Sequence, residues 1–278
     1  MHLSQHCYAL LGFSYEPPWA VNAGFIAGDG RTLIVDSGPH PLAAATLHGY
    51  ALAVCRTNAL LVINTERHFD HIGGNSYLSD QGAELCGHPL AVRTDLELAA
   101  DLEEHNACVP NAVRRARREG EIPFAGLRVV APNHSMHADA RLDLGTLEVR
   151  VLLTPGHTPS NLCVFVPAEG VLYCGDCVVS DYLPNLEGGS IEDWRTWVRS
   201  LARIEALRPE VLVPGHGRVL QGAEIALEIE RVHAVLEQAI AAGVAPTSAI
   251  DPCAVRPPWK YPDSLSGRMV AKPESDPK

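Results

Sequence analysis

The sequence predicts an α/β fold in which mixed β-sheets are covered by helices. Two apolar hairpins carry this prediction. The first joins strands over Val21–Ala27 and Thr32–Val35 through Gly28-Asp29-Gly30, and the second joins Leu162–Val166 to Val171–Cys174 through another glycine-containing turn. A helical pattern follows each hairpin, and paired strands followed by a helix indicate sheets with helices packed against them.

The other elements of the first half follow in chain order. Leu42–Cys55 is rich in alanine and leucine and predicts a helix, and Ala59–Ile63 is a short apolar run typical of a buried strand. Helical spacing returns at Asp95–Asn106. Strands are predicted at Leu127–Val130 and Leu147–Leu153.

The second half ends in two helices. Ser190 and Asp193 have the spacing of a capping box, and residues 191–201 place apolar side chains on one helical face. Val211–Val213 predicts a short strand. Apolar positions between residues 225 and 240 then define the last long helix.

The composition is that of an ordinary globular protein, with 278 residues of which 46% are hydrophobic and 20% charged. This length suits a large folded unit with a sizeable core. We expect residues 1–245 to form one domain. Residues 246–278, rich in proline and charge, are expected to form a C-terminal extension whose end is disordered.

Charge and hydropathy exclude two kinds of partner. A formal net charge of -11 argues against nucleic acid, because phosphate binding needs clustered positive charge. No apolar stretch approaches the roughly 20 residues of a membrane helix. The N-terminus lacks the features of a secretory signal, so we expect a cytoplasmic protein with reduced cysteines. A small-molecule substrate is the expected partner, and a homodimer remains open.

The densest chemical signal directly follows the strand predicted at Ala59–Ile63. Glu66, His68, Asp70 and His71 place four potential metal ligands within six residues. Imidazole and carboxylate both suit zinc and related divalent metals. The alternative is a polar surface turn, but the preceding strand and the two glycines that follow disfavour it.

Three more potential ligands share one local pattern. His157, Asp176 and His216 each follow an apolar strand and a glycine. Glycine lets the backbone turn sharply at the strand end, so that the next side chain can face a shared cavity. One such residue alone would more often be an ordinary loop residue. The recurrence of the pattern at three strand ends predicts a metal site.

These motifs resemble those of the metallo-β-lactamase superfamily. Its usual first motif is His-x-His-x-Asp-His, which stands here as Glu66-x-His68-x-Asp70-His71, and the remaining ligands follow in the family's order. The resemblance runs from about Val21 to the helix that ends near Ala241. It implies a four-layer αββα sandwich, with two mixed β-sheets flanked by helices and the metals in a cleft at one sheet edge.

The resemblance also implies a role for each ligand. Glu66, His68 and His157 would hold a first metal, Asp70, His71 and His216 a second, and Asp176 would bridge both. Glu66 departs from the family's histidine. A carboxylate is a harder ligand than imidazole, so this change admits iron or manganese as alternatives to zinc. Because Glu66 still supplies a ligand, we expect two divalent ions, with zinc as the first choice. Loss of the first metal is the opposing interpretation.

The function that the resemblance implies is metal-dependent hydrolysis. A hydroxide held by two metals would attack an ester, thioester or lactone, and Asp70 would orient it and carry its proton. Asp176 resembles the bridging residue of glyoxalase-II-like enzymes, whereas zinc β-lactamases typically have cysteine or serine there. The alternatives are a β-lactam hydrolase, an iron-dependent oxidoreductase similar to the persulfide dioxygenases, and a non-catalytic metal-binding accessory protein.

Several other residues receive weaker assignments. Asp36, Thr158 and Asn161 are candidates, by position, for outer hydrogen bonds to the ligands. Cys174 and Cys177 flank Asp176 as Cys-x-x-Cys, and we interpret both as core thiols. The remaining assignments are a solvated helix end for the arginines of residues 114–118, and structural or exposed positions for His88, His134 and His137.

Overall fold

Two six-stranded sheets form the centre of the computed structural model. The structure describes residues 1–13, 20–94, 96–100, 103, 128–181, 183–186 and 189–245. The first sheet contains, in spatial order, β1 (Cys7–Phe13), β2 (Val21–Ala27), β3 (Arg31–Val35), β4 (Ala59–Ile63), β5 (Glu84–Gly87) and β6 (His134–Ser135). The strands from β1 to β3 are antiparallel, and those from β3 to β6 are parallel.

The second sheet is built from the C-terminal strands. These are β7 (Ala140–Asp143), β8 (Glu148–Leu153), β9 (Leu162–Val166), β10 (Val171–Tyr173), β11 (Val211–Val213) and β12 (Leu220–Gln221). Only β10 and β11 pair in parallel. Since β9 is antiparallel to both β8 and β10, the strands β8, β10 and β11 run in one direction and end at the same sheet edge.

Helices cover the outer face of each sheet. They are α1 (Pro41–Val54), α2 (Phe69–Ile72), α3 (Asn75–Asp80), α4 (Ile191–Leu207) and α5 (Ala223–Ala242). Leu47 of α1 and Leu78 of α3 pack on the first sheet, and Leu201 of α4 and Leu236 of α5 pack on the second. A third cluster fills the space between the sheets. This confirms the αββα sandwich.

Neighbouring residues of β3 show why its last three positions, Leu33–Val35, are all apolar. Leu33 faces the layer between the sheets, and Ile34 faces the layer under α1. A strand that is buried on both faces needs apolar residues at every position. At the edge near the strand ends, Leu162 N donates to Thr65 O at 2.8 Å and Asn22 N donates to Gly215 O at 2.7 Å, which links the two sheets.

Most predicted elements are confirmed within one or two residues, and one is wrong. Residues 128–130 are not a strand, although the pattern over Leu127–Val130 predicted one. The carbonyl of Val130 accepts a hydrogen bond of 2.8 Å from the Asn75 side chain, and β5 pairs instead with His134–Ser135.

Several predictions fall partly or wholly outside the described residues. Residues 96–100 and 103 of the helix predicted at 95–106 are helical. The arginines of 114–118 and the C-terminal extension at 246–278 lie outside the described part of the chain. Within the described part, no helix has the length and apolar character required to cross a bilayer.

Candidate metal centre

The loop after β4 positions four of the seven predicted ligands. His68 precedes the one-turn helix α2, and within that helix Asp70 and His71 are buried. The loop is fixed by amides: Asn64 Nδ2 donates to the His71 carbonyl at 3.3 Å, and Asn75 Nδ2 donates to Asn64 Oδ1 at 2.7 Å. The loop is therefore buried and hydrogen-bonded, in contrast to the polar surface turn of the alternative interpretation.

The other three ligands follow β8, β10 and β11, whose ends share one edge. The glycine before each ligand is required by close packing. A Cβ on Gly156 would overlap Trp197, and a Cβ on Gly215 would overlap the carboxylate of Asp176. Gly175 has φ +50, a conformation that favours glycine. Glycine thus recurs before each of these ligands because a side chain at that position would overlap neighbouring atoms or strain the backbone.

The structure brings all seven predicted ligands together in two groups. The first group is Glu66, His68, His157 and Asp176, and the second group is Asp70, His71 and His216. Two ligands at about 2.1 Å from one tetrahedral metal lie roughly 3.4 Å apart. In the first group, His68 Nδ1 lies 3.2 Å from His157 Nε2; in the second, His216 Nε2 lies 3.3 Å from Asp70 Oδ2. Both spacings fit ligands that share an ion.

Asp176 lies between the groups. Its Oδ2 is 3.5 Å from His157 Nε2 and 3.3 Å from His216 Nε2, and its Oδ1 is 3.3 Å from His71 Nε2. This carboxylate therefore contacts histidines of both groups.

Each of three histidines is oriented by a partner behind it. The Nδ1 atoms of His71, His157 and His216 lie 2.9 Å from Asp36 Oδ2, 3.1 Å from the Asn185 carbonyl and 3.2 Å from the Ala20 carbonyl. An Nδ1–H donated to such an acceptor leaves the Nε2 lone pair free to face a metal. The two backbone carbonyls were not predicted, because any residue could supply them.

Asp36 is itself held in place. Thr65 donates to its carboxylate through the backbone N–H and the hydroxyl, both at 2.7 Å. The predicted outer role of Asp36 therefore agrees with its contacts. Thr158 and Asn161 contact each other at 3.4 Å, and neither hydrogen-bonds a ligand in the described part of the chain.

Buried polar atoms without partners test whether the site fits a metal. Glu66 Oε2, His71 Nε2 and Asp176 Oδ1 are buried and form no hydrogen bond within the described chain. Such atoms are costly unless something compensates them. Each of them lies close to another predicted ligand: Glu66 Oε2 is 3.6 Å from His157 Nε2, and His71 Nε2 is 3.3 Å from Asp176 Oδ1. Nitrogen and oxygen donors suit divalent cations. The residues fit a pair of such ions.

The charges of the site point the same way. Burial raises the pKa of Asp176, but His216 and His71 outweigh it and hold the pKa well below its ordinary value. Burial lowers the pKa of His216, yet Asp176 and Asp70 raise it to about 10. The cluster therefore favours ionised carboxylates and, in the metal-free protein, protonated rings at His71, His157 and His216, whose pKa values are all raised.

The residues outside the two groups have structural roles. Burial raises the pKa of the Cys174 and Cys177 thiols well above their ordinary value, and the Cys174 thiol donates to the Val213 carbonyl at 3.4 Å. This agrees with their interpretation as core thiols. His88 caps a short 3-10 helix by accepting from Leu90 N at 3.1 Å, and the other two unassigned histidines are exposed.

Comparison with known proteins places the chain in a family. The model of the metallo-beta-lactamase superfamily matches residues 17–216. A hydroxyacylglutathione hydrolase of Xanthomonas euvesicatoria is 30% identical over 232 residues, which cover 83% of this chain and 72% of that protein. A beta-lactamase-like protein 2 homolog of Drosophila melanogaster is 27% identical over 71% of this chain, but this match covers only 59% of that protein.

Solved structures agree on the fold. A metallo-beta-lactamase family protein of Thermus thermophilus superposes with a TM-score of 0.63 and 22% identity, over 85% of this chain and 81% of that one. A metallo-beta-lactamase of Pontibacter korlensis gives the same TM-score at 15% identity, over 85% and 97% of the two chains. The chain belongs to the metallo-β-lactamase superfamily.

Proposed function

We propose that this protein is a metal-dependent hydrolase that uses two divalent ions, with zinc as the first choice, to cleave an ester, thioester or lactone. One observation carries the proposal. Seven side chains from four separate strand ends converge with the spacing of metal ligands, and three of their buried atoms form no hydrogen bond with any residue that the structure describes.

When bound, two such ions would lower the pKa of a water molecule so that it attacks at neutral pH, and would stabilise the charge that develops on the substrate. The chain's own residues supply the rest. Asp70 orients the attacking water and accepts its proton. Asp36 and the carbonyls of Asn185 and Ala20 fix the orientation of the histidine rings. The half-exposed ring of His68 marks the open side, where the substrate enters.

Two observations favour an acyl substrate. The relatives include the hydroxyacylglutathione hydrolase and an atrochrysone carboxyl ACP thioesterase of Aspergillus fumigatus, which is 24% identical over 74% of this chain. A carboxylate, Asp176, occupies the shared position where zinc β-lactamases typically have cysteine or serine. A cytoplasmic location is part of the proposal, and the free state of all six described cysteines supports a reducing compartment.

A substrate panel tests the proposal. The protein is loaded with zinc, manganese or iron and assayed against a glutathione thioester, an aryl ester, a lactone and a cephalosporin, with oxygen uptake measured on glutathione persulfide. We expect turnover of at least one acyl substrate, loss of turnover with chelator, and a large loss in Asp70→Asn. Oxygen uptake or cephalosporin cleavage as the dominant activity, or no turnover with any metal, would overturn it.

A further inference from the structure

Glu66 contacts ligands of both groups, although the family pattern assigns its position to the first metal alone. Its Oε1 lies 2.9 Å from His68 Nδ1, and its Oε2 lies 3.6 Å from His157 Nε2. Both histidines belong to the first group. The same Oε1, however, lies 3.2 Å from Nε2 of His71, which belongs to the second group.

These distances decide between a terminal and a shared ligand. Ligands of one tetrahedral ion lie roughly 3.4 Å apart. Glu66 lies near that distance from one histidine of each group, at 3.6 Å from His157 and 3.2 Å from His71, while its 2.9 Å contact with His68 is a hydrogen bond. Asp176, the expected bridge, lies 3.3–3.5 Å from histidines of both groups. Asp70 behaves differently: its carboxylate lies 3.3 Å from His216 and 3.9 Å from His71, both in the second group.

The surroundings of His71 Nε2 support a shared ion. The ring's other nitrogen, Nδ1, lies at hydrogen-bond distance from Asp36. Nε2 faces oxygens of Glu66 and Asp176 at 3.2 and 3.3 Å, yet it hydrogen-bonds to neither of them. An atom this close to oxygens of both carboxylates is placed to share a cation with them.

We propose that Glu66 is a second bridging carboxylate, so that Glu66 and Asp176 together span the two metal ions. The proposal rests on the dinuclear centre of the proposed function. A carboxylate has two oxygens that can bind two metals, whereas a neutral imidazole offers one lone pair. The change from histidine to Glu66 therefore alters how the two ions are connected, in addition to the charge of the site.

Cadmium-113 NMR distinguishes a bridge from a terminal ligand. The full-length protein is loaded with ¹¹³Cd²⁺ alone, and two bound ions give two resonances. Glu66→Gln keeps the size of the side chain and one oxygen but cannot bridge, so both resonances should move. Both binding steps should also weaken by at least the roughly 10- to 100-fold that loss of an outer partner costs. Asp70→Asn, the matched neutralisation of a terminal ligand, should move mainly one resonance.

A third variant separates loss of the bridge from loss of an ion. Glu66→His should retain two bound ions, with both resonances shifted, because imidazole ligates the first ion only. Movement of a single resonance in Glu66→Gln, with two ions still bound, would overturn the bridge and leave the dinuclear centre intact. A single ion bound by the unaltered protein would overturn both the bridge and the centre on which it rests.

Discussion

The two ligand groups differ in burial and support. In the second group the side chains of His71, Asp70 and His216 are 0%, 8% and 10% exposed, and both histidines have partners behind them. In the first group the side chain of His68 is 36% exposed, and its ring lies at hydrogen-bond distance from two other predicted ligands, Glu66 and His157. The difference lies at His68: Glu66 and His157 of the first group are 0% and 4% exposed, and His157 has the Asn185 carbonyl behind it, whereas the His68 ring opens to solvent. Preorganisation favours tighter binding, so we expect the second group to fill first.

The strongest test of this comparison removes the ligand that the groups share. Asp176→Ala should lower metal occupancy at both groups and reduce kcat/KM by more than the roughly 100-fold upper range for an outer partner. The reason is that this carboxylate offsets two close cations and fixes their separation. Metal analysis together with steady-state kinetics measures both effects. Near-normal turnover with two ions bound would show that the groups function without a shared Asp176.

The outer partner of the second group provides a narrower test. Asp36→Asn should weaken the tighter metal-binding step by roughly 10- to 100-fold and leave the weaker step nearly unchanged. Asp36 has φ 61, a conformation that asparagine tolerates, so the backbone should be preserved. Titration calorimetry measures both steps. Asp139→Asn, in a surface pair with Arg203, is the control. An equal loss in both steps would contradict the assignment of Asp36 to one group.

Proton release should accompany metal binding. Burial lowers the pKa of His216, but Asp176 and Asp70 raise it to about 10, so the metal-free ring carries a proton at pH 7 that an ion must displace. Metal affinity should therefore rise with pH between about 7 and 10, by at most roughly tenfold per pH unit for one proton. Calorimetry in buffers of different ionisation enthalpy counts the protons. Binding that is independent of the buffer would exclude a protonated His216.

The raised pKa of His216 also predicts how the stability of the metal-free protein changes with pH. A raised pKa stabilises the metal-free fold fully below the ordinary value of 6.5, and this stabilisation is lost as the pH rises through about 10. The free energy of unfolding of the metal-free protein should thus fall between pH 7 and pH 10. The metal-loaded protein should show a smaller fall, because the ion replaces the proton.

The smallest effect is expected next to the shared ligand. Cys174→Ala should leave metal content and metal preference unchanged and lower the free energy of unfolding by about 1–2 kcal/mol, because it removes only a buried thiol. Chemical denaturation and metal analysis measure the two quantities. Loss of an ion in this variant would mean that the Cys-x-x-Cys thiols belong to the centre.

The sequence predicted the ligands more completely than it predicted the elements around them. His157, Asp176 and His216 were identifiable because each follows a strand and a glycine. Metal ligation also depends on the type of side chain, which the sequence gives directly. The carbonyls of Ala20 and Asn185 were not identifiable, because every residue has one. Strands such as β1 and β6 were missed because they are held by neighbouring strands and carry little apolar alternation of their own.

The error at residues 128–130 has a similar cause. Val130 has the local character of a strand residue, but a side chain distant in sequence, Asn75, occupies its carbonyl. The contacts of Glu66 with both ligand groups were also beyond the sequence. Glu66 is the first residue of the motif, but its distance to His71 depends on the backbone path through α2, which the motif does not specify.

Gly215 has no side chain that could bind a metal, yet it limits how the protein can be redesigned. The space that its side chain would fill is taken by the Asp176 carboxylate and by the backbone at Gly175. A mutagenesis library that aims at a new metal preference will therefore find position 215 closed to every other amino acid. Such libraries should vary the identity of the ligands and leave Gly215 unchanged.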